Sequence, residues 1–358
     1  MALVLPTRWP ALGRAASWQA HRAGWFAATL LTALLAAHDP ARAADTAPAA
    51  QGDDVVQLLS RIQQAARKQD YAGVFMYQQG EMIQSSRLVH VLDGTGERER
   101  LEILDGQPRE YLRHNENVQC LIPDRKTVLL ERRRGDRFPG LLLGDPARLT
   151  DHYKIRAESA LHRVAGRQCR LITIEPLDKL RYGYRLCADV ETNLLLKAQT
   201  LNAGRGVVEQ VSFTSLRLGA EVDPQSLASR WNTRDWKVLE PALKPVDLGA
   251  LGWRIPAPKG FAVVMQVARS MGHGATVNQM VLSDGLAAIS VFIEPYDSQH
   301  GHHPPPGAAQ RGSITVYGTR IADFWLTAVG EVPVATLEQL AQATEYVPVA
   351  NAPAAGSN

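Results

Sequence analysis

Three cysteines, a histidine-rich loop and a short run of arginines carry the most distinctive chemistry in this sequence. Cys120, Cys169 and Cys187 are its only thiols. Cys169 and Cys187 sit in two strand-like runs on either side of Glu175 to Leu180. If those runs form a hairpin centred near Asp178, the two sulfurs face each other, and an oxidising compartment would allow a disulfide. Spacing alone leaves both the bridge and the two free thiols standing. Cys120 is then left over, most simply as a buried apolar residue. His300, His302 and His303 offer three imidazoles in a Pro/Gly-rich loop. A dedicated metal site needs rigid ligands held by further hydrogen bonds, and no Cys/His spacing here matches a zinc site. The loop therefore reads as solvated, with no metal. Arg132, Arg133 and Arg134 could pair bidentately with lipid phosphates, or form a solvated sheet edge that resists edge-to-edge aggregation.

Catalytic patterns are missing. There is no Gly-x-Ser-x-Gly, no phosphate-binding glycine loop and no His-Glu-x-x-His. The acidic pair Asp53-Asp54 stands where a helix begins, and capping explains it. An enzyme is disfavoured, and no cofactor is implied.

The elements that would position these residues are mostly strands. Val55, Leu58, Leu59, Ile62 and Ala66 recur at helical spacing and end at Asp70, giving one amphipathic helix. From Tyr71 to about Leu218 many short runs follow, separated by Gly, Asp and Pro, which is the pattern of an antiparallel sheet or barrel. Leu141 to Asp151 interrupts it as a loop or short helix. Phe75 and Tyr77 share a strand face, and Leu88 and Tyr111 are further large residues on early strands. In a closed core these four pack; in a half-barrel they line the hollow. Residues 219–248, punctuated by Pro224, Pro241 and Pro245, read as a linker. A second domain spans 249–348. In it Ile289, Val291 and Ile293 alternate with Ser290 and Phe292 behind the turn Ser283-Asp284-Gly285. Gln299 to Gly312 reads as a mobile loop, Leu337 to Tyr346 as a last helix with Thr336 as N-cap, and 349–358 as a disordered tail.

The chain opens on a targeting segment. Arg8, Arg14 and Arg22 precede an apolar run from Ala23 to Ala37, and Ala41-Arg42-Ala43 fits a small-x-small cleavage site, so residues 1–43 read as a signal peptide and Ala44 as the mature start. That segment holds four Arg and one Asp, and the whole chain is +3, so the exported part is near neutral. A general field for nucleic acid is not indicated.

The C-terminal block resembles the RseB/MucB family of periplasmic regulators of the envelope-stress sigma factor. The resemblance rests on Leu251-Gly252-Trp253, Pro256-Ala257-Pro258-Lys259-Gly260-Phe261, Ser283-Asp284-Gly285-Leu286, Ile289-Ser290-Val291 and Gly330-Glu331-Val332-Pro333, in that order. In the N-terminal half, Arg181-Tyr182-Gly183-Tyr184-Arg185-Leu186, Asp189, Glu191-Thr192, and Leu104-Asp105-Gly106 with Arg109-Glu110 fit the same family. It covers nearly all of the exported chain. The resemblance implies an α+β, mostly antiparallel fold: an unclosed LolA/LolB-like β-half-barrel with helices over residues 44–218, and a smaller α+β domain. It implies a periplasmic negative regulator that binds the periplasmic domain of an inner-membrane anti-sigma factor of the RseA/MucA type. That binding would protect the anti-sigma factor from DegS-type cleavage until lipopolysaccharide or another acylated ligand releases it. Phe75, Tyr77, Leu88 and Tyr111 are then candidates for the lipid hollow, Arg132, Arg133 and Arg134 for its headgroup, and Arg311 and Arg320 for the protein partner. The family's basic segment is reduced here to those last two arginines. The alternative is a LolA-like lipid or lipoprotein carrier, which would need only the first domain. Oligomeric state, homo-oligomers included, stays open.

Overall fold

The computed structural model describes residues 52–132, 138–140, 144–270, 276–296 and 305–348. The expected signal peptide with its cleavage site, Arg133, Arg134, His300, His302, His303 and the tail 349–358 lie outside the described residues.

Helix α1 (Gly52–Lys68) is followed by β1 (Tyr71–Gln79), β2 (Met82–Asp93), β3 (Gly96–Ile103), β4 (Arg109–His114), β5 (Asn117–Ile122) and β6 (Thr127–Arg132). Then come a one-turn helix α2 (Pro146–Leu149) and β7 (Tyr153–Val164), β8 (Arg167–Pro176), β9 (Gly183–Asp189), β10 (Leu195–Leu201) and β11 (Val207–Leu218). These eleven strands form one antiparallel sheet in which β1 pairs with both β2 and β11. The two runs β6-to-β1 and β11-to-β7 thus meet at β1, and the outer ends never pair, so the sheet stays unclosed. The predicted apolar stripe of α1 covers one face. Leu58, Leu59, Ile62 and Ala66 are buried among Phe75, Leu88, Ile172, Leu186 and Phe213. Burying each large side chain contributes about 1.5–3 kcal/mol, which holds the helix against the sheet, since packing of an amphipathic face supplies most helical stability in proteins.

Cys169 and Cys187 are joined in a disulfide with Cα atoms 5.4 Å apart. The hairpin is centred one residue later than expected, at Lys179, because Leu171 lies opposite Cys187 and Cys169 opposite Asp189. The bridge therefore runs diagonally across the ladder. Cys120 is a fully buried thiol. The bridge closes a loop with a sequence separation of 18, which in the chain-entropy model stabilises by about 3 kcal/mol. A Cys169→Ser/Cys187→Ser chain is expected to lose roughly that amount in urea unfolding, and reductant should shift only the parent protein.

Residues 219–248, expected as a linker, are stitched into both sheets. β12 (Lys237–Leu239) adds to β6 in parallel, and β13 (Leu243–Pro245) adds to an edge of the second sheet. Arg100, itself ion-paired with Glu102 and Glu110, donates to the Ser226 carbonyl at 3.1 Å, and Ser229 donates to Glu110. Open sheet edges and buried charges are costly unless covered, and this segment covers both.

The C-terminal domain contains β14 (Trp253–Arg254), β15 (Ala262–Ser270), β16 (Thr276–Ser283), β17 (Ala288–Pro295), β18 (Gly307–Arg311), β19 (Ile314–Ile321), β20 (Phe324–Gly330), α3 (Val334–Gln342) and β21 (Glu345–Tyr346). Its seven-stranded sheet runs β13-β15-β16-β17-β20-β19-β18. The predicted alternation in β17 holds: Ile289, Val291 and Ile293 are buried against Met280, Leu282, Leu326, Leu337 and Leu340. Two expectations change. Residues 307–311, read as part of a mobile loop, form the edge strand β18, paired to β19. The last helix both begins and ends earlier than expected, at Val334 and Gln342, with Glu345–Tyr346 in strand β21, and Thr336 is buried within the helix with its hydroxyl donating to the Leu180 carbonyl of the first domain at 2.9 Å, so it joins domains instead of capping.

Candidate functional site at the junction of the two sheets

The turn between β16 and β17 reaches into the N-terminal domain. Asp284 Oδ1 accepts from the Leu286 and Ala287 amides at 2.9 and 2.8 Å, which fixes the turn. Its Oδ2 accepts from Arg181 Nη1 at 2.7 Å and from the Tyr153 hydroxyl at 2.8 Å. Both side chains of this ion pair are fully buried. Arg181 also donates to the Lys259 carbonyl and pairs with Asp178 at 3.1 Å. Its guanidinium carbon lies 5.0 Å from the Phe261 ring centre. Burial, with the neighbouring Tyr184 and Asp284, pushes the Tyr153 phenol well above its usual range, so it stays a donor. Gly285 adopts φ +100°, and a Cβ there would come within 3.2 Å of Leu149; only glycine suits both the backbone and the close approach. Leu286 then joins the apolar core of the first domain.

A second contact lies beside it. The turn between β18 and β19 places Ser313, which is fully buried, so that its hydroxyl donates to Glu209 on β11. Gln310 donates to the Tyr182 hydroxyl at 2.8 Å, and Arg311 reaches the Met82 sulfur at 3.6 Å. Between the two turns is a cavity of about 30 Å³, lined by Tyr184, Leu186, Val211 and Leu286 and by the carboxyl-bearing Glu209 and Glu331. Burial first, and then the charge of Glu331, push the Glu209 carboxyl up to about 7.

The residues singled out in the sequence are dispersed. Phe75, Tyr77 and Leu88 do face the helix-covered side of the sheet, but as buried core, with Tyr111 packed at its border. Phe75, Phe138 and Phe213 form an aromatic cluster with ring centres 5.0–6.1 Å apart. Among the described residues these four pack with α1, Phe138 and Leu149. Arg132 is exposed at the end of β6. Arg311 and Arg320 do not share a patch: Arg311 pairs with Ile314, so about six residues of β19, roughly 20 Å, separate it from Arg320. Arg320 is held locally, 4.3 Å from the Tyr296 ring centre and 3.7 Å from Asp323.

The sequence matches the MucB/RseB N-terminal domain family over residues 54–231 and the MucB/RseB C-terminal domain family over residues 248–345. This chain belongs to the MucB/RseB family. It is 31% identical over 301 residues to the sigma factor AlgU regulatory protein MucB of Pseudomonas aeruginosa, covering 82% of this chain and 92% of that protein. It is 25% identical to the sigma-E factor regulatory protein RseB of Salmonella typhimurium, covering 90% of this chain and 98% of that one. Among solved structures, MucB in complex with MucA(peri) superposes with a TM-score of 0.64 at 28% identity, covering 83% of this chain and all of that one. The boundary between the two matched families falls in the stitched segment containing β12 and β13.

In the sequence Arg181 and Glu331 stand only in family motifs and Asp284 in a motif that is also a turn signal, and nothing there singles out Glu209 or Ser313. An acid in a Ser-Asp-Gly turn between two buried strands hints at a buried role for Asp284. Nothing in the sequence indicates which residue meets it.

Proposed function

We propose that this chain is a periplasmic negative regulator of an envelope-stress sigma factor. It binds the periplasmic domain of a single-pass anti-sigma factor and shields it sterically from the first protease. Lipopolysaccharide or another acylated ligand weakens that hold. The observation that carries the reading is the similarity, across both domains and the segment between them, to MucB solved with the periplasmic part of MucA. Shielding by a bound surface requires no catalysis, in keeping with relatives whose names describe regulatory proteins. Release requires the ligand to prefer the unbound state, since equal affinity for both states shifts nothing.

Calorimetric titration of the chain from Ala44 with the periplasmic domain of the same organism's anti-sigma factor tests this. Saturable binding that lipopolysaccharide weakens is the expected result. Lipid binding without any protein partner would favour the carrier. Removing residues 249 onward should abolish anti-sigma binding; unchanged binding would sink the two-domain reading.

A further inference from the structure

We propose that the junction between the two domains is a binding site for an ordered water molecule, held by the polar row Tyr184, Thr200 and Glu209 and closed in by Leu286 and Glu331 of the second domain. Tyr184, Thr200 and Glu209 lie in register on the neighbouring strands β9, β10 and β11, and so share one face of the sheet. All three side chains are buried. They line the cavity of about 30 Å³ whose wall also includes Leu286 and Glu331. A water needs about 10–15 Å³ of such space and two to four polar partners. The cavity has the room, and the row supplies the partners. This inference does not depend on the identity of any protein or lipid partner.

The deciding group is the Tyr184 hydroxyl. Tyr184 is 7% exposed, and its hydroxyl oxygen is buried with no hydrogen-bond partner among the described residues. Burial pushes the phenol well above its usual range, so it stays protonated and able to donate. Leaving a buried hydroxyl unpaired is costly, and buried polar groups in folded proteins are almost always satisfied by protein or by water. Sheet geometry keeps the row from closing on itself. Strands stand about 4.8 Å apart, so Tyr184 and Glu209, two strands apart, are separated by about 9.6 Å at the backbone. A water that accepts from Tyr184 and donates to Thr200 or Glu209 spans that gap, at little loss relative to a direct bond. Glu209 already accepts from Ser313 of the second domain, and the remaining lone pairs of its carboxyl can accept from water. On its flanks the junction is closed by direct contacts, Arg181 to Asp284 on one side and Ser313 to Glu209 on the other. The water completes the seam between them.

A high-resolution crystal structure of the chain from Ala44 tests this directly. A water about 2.7–2.8 Å from Tyr184 Oη, and within hydrogen-bond distance of Thr200 or Glu209, is the expected result. A Tyr184 hydroxyl bonded directly to a protein group, a cavity without density, or a peak held by several oxygens at cation distances of about 2.3–2.6 Å overturns the proposal. Tyr184→Phe gives a second reading, and its sign decides. The substitution removes only the hydroxyl. A dry, unpaired hydroxyl opposes folding, so its loss would stabilise the chain. A water-bound hydroxyl supports folding, so its loss should raise the unfolding equilibrium constant about two- to tenfold in urea. A constant that is unchanged or lowered refutes the bound water. Should Tyr184→Phe not fold, the crystal structure of the parent decides alone.

Discussion

Asp284→Ala is expected to lower the unfolding free energy by about 3–5 kcal/mol, the cost of stranding one partner of a buried ion pair. Arg181 is fully buried, and its remaining carboxylate contact is the partly exposed Asp178. The substitution also leaves the Leu286 and Ala287 amides without their side-chain acceptor and removes the acceptor of the Tyr153 hydroxyl. The loss should be non-additive. An Arg181→Met/Asp284→Ala chain carries no orphaned charge and should recover a large part of the stability, because replacing both members of a buried pair by apolar groups is often neutral. Urea unfolding of the two single variants and the double variant gives the coupling. A cost below about 1 kcal/mol for Asp284→Ala, or strict additivity, would mean the junction is solvated and the pair is not what joins the domains.

Phe213→Ala is expected to cost a similar amount, about 3–5 kcal/mol, for a different reason. Phe213 is 2% exposed and sits against both Phe75 and Phe138. Truncation removes a ring from the face of the sheet on which the half-barrel hollow was expected, and close-packed neighbours relax into such a gap only in part. The void would be apolar, and dry apolar voids of this size take up small hydrocarbons. A saturating apolar ligand such as benzene should therefore raise the thermal midpoint of Phe213→Ala and leave that of the parent unchanged. An equal shift in both would mean that the parent already holds an accessible hollow on this face, contrary to the packed cluster.

Much of this architecture was legible because strand patterning is local. The two-residue alternation of Ile289, Val291 and Ile293 reports one buried face, and the structure puts all three in the second core. The helical spacing of Leu58, Leu59 and Ile62 likewise gave the covering helix. Alternation placed Phe75 and Tyr77 on one face, but a face is not a depth. Whether that face lines a hollow or a core depends on what α1, Phe138 and Leu149 do above it. Residues 219–248 differ from a plain linker for a related reason. Their prolines mark irregular backbone, yet three residues at a time suffice to cover an open edge, as β12 and β13 do.

The sequence by itself determined the antiparallel strand pattern and the family, because each rests on residues near one another in the chain or on motifs in a fixed order. Tertiary structure alone decided that Arg181 meets Asp284, 103 residues away, and that Ser313 meets Glu209, 104 residues away. Those partnerships arise where turns of the second sheet meet the first. A charge or hydroxyl carries no local mark of the group that will satisfy it; only burial at the junction makes the pairing necessary.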